Sequence, residues 1–125
     1  MNMNDELGYQ LLRGQDRQAL QTYVQTLHDQ HGQRIMSVVL FGSKCRGDAD
    51  LDSDIDVLVR LADDDWQLGW VVRLLAARVS LEHNVLLSVR AIGPDQWARM
   101  ERYQVPLYQA IQAEGLDLTS MHAMA

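Results

Sequence analysis

The chain has 125 residues, enough for one core-forming domain and too few for two ordinary ones, and its 47% apolar and 22% charged composition is globular rather than disordered. No apolar run reaches the roughly 18 residues of a membrane span, and the start MNMNDELGYQ lacks the basic-then-apolar layout of a signal peptide, so a cytoplasmic, non-membrane protein is expected. A net charge of −6 argues against stable nucleic-acid binding, which needs a basic surface, and the single cysteine, Cys45, rules out an internal disulfide framework.

Leu20, Tyr23, Val24 and Leu27 recur at the spacing of one apolar helix face, which Gly32 ends. Arg34 to Phe41 reads as a buried strand stopping at Gly42, and Ile55 to Leu61 as a second strand after a polar loop. Asp63, Asp64 and Asp65 are candidate caps for an amphipathic helix from Trp66 to about Leu81. A third strand is predicted over Asn84 to Ile92, then a short helix opened by Pro94 and a last helix from Pro106 with Gly115 as its stop. The order α-β-β-α-β-α-α, with no linker or repeat, predicts one α/β (α+β) domain over residues 1–125. It would hold a small mixed sheet of three or more strands with helices packed against it, and poorly ordered ends at 1–14 and 117–125.

Between the first two strands, aspartate occupies every second position from Asp48 to Asp56. A calcium loop fails because Ser53 stands at the obligatory glycine and Val59 at the final glutamate; a P-loop fails because Asp48 and Ala49 stand where Lys and Ser/Thr are required. Asp48, Asp50 and Asp52 read as a solvated spacer. Asp54 and Asp56 instead lie within the apolar run, where period-two alternation puts both on one strand face and Ile55, Val57 and Val59 on the other. Adjacent carboxylates at the start of a buried strand need neutralising, and paired oxygen ligands with room for water and phosphate suit Mg2+. Upstream, Gly42 and Ser43 form a candidate anion cradle, with Lys44, the only lysine, and Arg46 as candidate phosphate cations.

Gly42-Ser43, ten intervening residues, then Asp54-x-Asp56 resembles the GS-x10-D-x-D signature of minimal nucleotidyltransferases (MNT) in the polymerase-β-like superfamily, reinforced by Phe41, Arg46-Gly47 and Ser53-Asp54-Ile55-Asp56. The resemblance implies transfer of a nucleoside monophosphate, AMP from ATP, to a hydroxyl by a two-metal Mg2+ mechanism. By the same resemblance Asp54 and Asp56 would be the catalytic metal ligands and Gly42 and Ser43 would hold the terminal phosphates of the NTP.

One departure stands out. The family pattern has a third carboxylate on the next strand, where the expected register puts Leu86, flanked on its face by Asn84 and Ser88; Glu82 would serve only if the helix ended differently. Domains of this size resemble the MNT antitoxins paired with HEPN ribonuclease toxins, implying such a toxin as partner, inhibited by complex formation, by modification of a tyrosine, or by both. Two other readings are a catalytically weakened binding antitoxin and a transferase acting on a small-molecule, antibiotic-type hydroxyl. Arg78-x4-His83 matches the start of a HEPN motif, but three predicted strands exclude that all-helical fold. The four histidines have no zinc-site spacing, and Trp66 and Trp70 read as core or interface anchors rather than a base-stacking platform.

Overall fold

The structure, a computed structural model, describes residue 12, residues 14–42 and residues 54–120. Helix α1 spans Gly14–His31 and runs through a turn of 3-10 helix, Gly32–Arg34, into strand β1, Ile35–Phe41. Strand β2 is Ile55–Leu61, helix α2 Trp66–His83, strand β3 Leu87–Ile92, helix α3 Pro94–Arg102, helix α4 Pro106–Glu114 and strand β4 Leu116–Asp117. The four strands form a mixed sheet of order β3-β2-β1-β4: β1 is antiparallel to β2 and to β4, and β2 is parallel to β3 across the α2 crossover. This is an α+β architecture of the kind the apolar patterning predicts.

The alternation in β2 divides the molecule. Ile55, Val57, Val59 and Leu61 point to one face, where with Val38, Leu40 and Leu87 they pack under α1 and α2. Tyr23 ties these two helices together, its buried hydroxyl donating to the Val72 carbonyl at 2.9 Å. Leu58, Ile92, Met100 and Ile111 form a smaller core on the other face, beneath α3 and α4. Phe41, the β1 partner of Asp56, packs against this smaller core.

Local chemistry sets the element ends. Asp65 caps α2 by accepting from the amides of Gln67 at 2.9 Å and Leu68 at 3.4 Å, and Arg34 holds the same carboxylate at 2.6 Å. The ion pair keeps the Asp65 carboxyl below the usual range, the Arg34 hydrogen bond being the largest cause. Helix α2 continues past the expected Leu81 to His83 and stops at Asn84 in a left-handed turn with φ of 55°. Strand β3 accordingly starts at Leu87 rather than Asn84, its first amide donating to the buried Ser80 hydroxyl at 2.9 Å.

Residues 117–120 differ most from expectation. Rather than fraying after residue 116, the chain adds β4 to the sheet edge beside β1 and buries Leu118 to 1% exposure. The Leu118 amide donates to the Val38 carbonyl at 2.7 Å, and the Val38 amide donates to the Thr119 hydroxyl at 3.0 Å. Among the described residues no helix is long and apolar enough to cross a membrane.

Candidate functional site

Strands β1 and β2 run antiparallel, so the end of β1 meets the start of β2. Phe41 is paired with Asp56, and Gly42 follows immediately with φ of +81°, a conformation that favours glycine. A Cβ at Gly42 would lie 2.5 Å from Asp56 Oδ2. The missing side chain is therefore what gives the Asp56 carboxylate room beside Gly42.

Asp54, exposed, immediately precedes β2, and Asp56, half-buried, is the second residue of that strand, near enough to Asp54 to feel its charge. Asp56 holds its proton more tightly than an ordinary carboxyl: burial is the main cause, the charge of Asp54 adds to it, and Arg90 pulls the other way. Two carboxylates whose repulsion already favours protonation of one, beside a backbone with no side chain in the way, form a hard-oxygen donor set that fits Mg2+. Of the expected phosphate group only Gly42 is described; Ser43, Lys44 and Arg46 lie outside the described residues, as do Cys45, Asp48, Asp50 and Asp52.

The parallel ladder corrects the register expected for the third carboxylate. Asp56 is paired with Ser88, while Leu86 precedes β3 and accepts at its carbonyl from the Ile55 amide at 2.9 Å. The position beside Asp56 therefore carries a hydroxyl. Glu82 does not replace the acid, since it belongs to α2, which covers the opposite face of the sheet, and it pairs with Arg78 at 3.7 Å. Among the described residues no group of three or more His, Cys, Asp or Glu side chains converges.

A family model described as a nucleotidyltransferase domain matches residues 20–113. The chain belongs to this nucleotidyltransferase-domain family. The match runs from α1 through nearly all of α4 and so includes the Gly42 turn, both candidate aspartates and the crossover to Ser88. A search of curated proteins finds no match.

Within this nucleotidyltransferase domain two cations on the aspartate face were missed in the sequence. Arg90 is two residues beyond Ser88, and Arg60 is four beyond Asp56, so the same period-two alternation that placed the aspartates could have found both. Arg60 lies 4.3 Å from the centroid of the Trp97 ring, and Trp97 packs at 5.1 Å against Tyr108. No sequence signal linked Trp97 and Tyr108 to Arg60, because α3 and α4 reach β2 only through the tertiary fold.

Proposed function

We propose that this nucleotidyltransferase domain transfers AMP from ATP to a hydroxyl, acting as an antitoxin that modifies a tyrosine of a HEPN-type ribonuclease toxin. The observation that carries the transfer reading is the relation of Gly42 to Asp56: the residue that follows β1 carries no side chain where it meets the Asp56 carboxylate. Asp54 and Asp56 would hold Mg2+, which supplies charge neutralisation for a phosphoryl group and activation of the attacking oxygen. Gly42 admits a phosphate close to the backbone, and the half-burial of Asp56 keeps part of the pair away from water. The resemblance in the GS-x10-D-x-D pattern supports the antitoxin role.

A second reading is favoured by Ser88. With a hydroxyl rather than a carboxylate beside Asp56, and Arg90 near the pair, the domain has fewer groups to accept a proton from an acceptor hydroxyl. A nucleotidyltransferase fold with weakened turnover that inhibits its partner by contact is consistent with this.

Labelled ATP, Mg2+ and the product of the adjacent gene test both. Label moving to the partner with wild type but not with Asp54→Ala or Asp56→Ala supports transfer. Inhibition that survives both substitutions, with no label moved, rejects transfer and supports the binding antitoxin.

A further inference from the structure

Helix α2 has three faces, and one of them is uncovered. Leu68, Val72, Leu75 and Val79 pack into the main core, while Gly69 and Ser80 lie against β3. On the side away from the core run Trp66, Trp70, Ala77 and Leu81, with exposures of 76% for Trp66, 56% for Trp70 and 85% for Leu81. Taking roughly 250 Å2 for a tryptophan, these residues with Leu74 and Leu86 expose on the order of 600 Å2 of apolar-rich surface per chain. Two such surfaces together reach the roughly 1,200 Å2 at which specific interfaces begin.

Beside this stripe lies β3, an edge strand among the described residues. The Ile55 amide donates to the Leu86 carbonyl, so even-numbered residues of β3 direct their backbone groups toward β2, and Val89 and Ala91 direct theirs to the open edge. We infer that a second copy of this chain pairs here, β3 antiparallel to β3 and α2 antiparallel to α2, around one two-fold axis.

The two elements are self-complementary about the same point. In antiparallel register Val89 pairs with Val89 of the second copy, joining open-edge groups and keeping like faces together; Leu87 stands opposite its Ala91 and offers only its carbonyl, since its amide is held by Ser80. On α2 the stripe is symmetric about the helix centre: Trp66 meets Leu81, and Trp70 meets the small Ala77. Arg73, near that centre, lines one groove with Val89, so the two centres lie close enough for one axis to serve both, and the two copies' Arg73 side chains face each other across it. The register also sets Arg90 opposite Ser88 of the second copy, one strand away from the acidic pair of that copy.

Sedimentation velocity across the micromolar range, with hydrogen exchange at the Val89 and Ala91 amides, tests this. Wild type should shift from monomer to dimer mass with concentration, and both amides should gain protection in step. Trp70→Glu and Leu81→Glu alter exposed side chains and should leave the circular dichroism spectrum unchanged while moving the dimer midpoint up at least about tenfold, or 1.4 kcal/mol. A wild type that stays monomeric throughout overturns the proposal. So does a dimer that tolerates both substitutions, or one that forms without protecting Val89 and Ala91.

Discussion

Gly42 and Asp56 are held against each other: the backbone at Gly42, with φ of +81°, comes so close to Asp56 Oδ2 that no side chain fits between them. Two constraints on one residue have the same remedy. Glycine relieves the backbone and clears the carboxylate at once.

Gly42→Ala is therefore expected to lose on both counts. The positive φ alone costs about 1–2 kcal/mol, and the new methyl must displace the Asp56 carboxylate, so Mg2+ binding and transfer should fall more than folding does. Calorimetry with Mg2+ beside a thermal melt checks this; an unchanged Mg2+ affinity would contradict it.

Asp56→Asn should separate stability from activity. The folded state binds the Asp56 proton more tightly than the unfolded chain, because of burial and then the charge of Asp54. Folding is thus penalised as pH rises through the carboxylate range, and the penalty is complete above the raised folded value. In chelator the asparagine variant should melt higher than wild type at neutral pH, with the difference shrinking on acidification. Its transferase activity should drop at least about 100-fold.

Ser88→Asp would put a carboxylate beside Asp56 in the β2-β3 ladder. Without metal the added charge should lower the melting temperature by like-charge repulsion. Added Mg2+ should then raise it by more than in wild type, since a ligand bound only by the folded state stabilises it. Equal Mg2+ shifts in the two proteins would show that Ser88 does not adjoin the metal.

Two substitutions probe the frame. Leu118→Ala empties a fully buried position contributed by the segment after β4 and should cost about 2–5 kcal/mol in denaturant melts. Tyr23→Phe removes the hydroxyl that bridges α1 to α2 and should cost about 1 kcal/mol. A negligible loss for Leu118→Ala would mean that the chain end does not belong to the core.

Much of the frame was legible because local periodicity carries it. Ile55–Leu61 and the helix starts at Trp66, Pro94 and Pro106 fall where alternation, an aspartate cap and two prolines put them. Residues 117–120 were misread for the opposite reason. Leu116, Leu118 and Thr119 make too short a segment to show a period, and only the open β1 edge and the small Gly115 backbone, whose Cβ would lie 2.7 Å from Val39, give them a place.

From the sequence alone came the grouping of Asp54 with Asp56, since two-residue alternation is a property of any strand, and the Gly42-Ser43 spacing that pointed to the family. What only the tertiary structure decided is what stands next to them. The register of β3 against β2, set by how α2 ends at Asn84 and by the Ser80 hydroxyl on the Leu87 amide, puts Ser88 beside Asp56 and Arg90 within its field. Register between strands brought together by a crossover depends on packing between residues far apart in the chain, which no local pattern records.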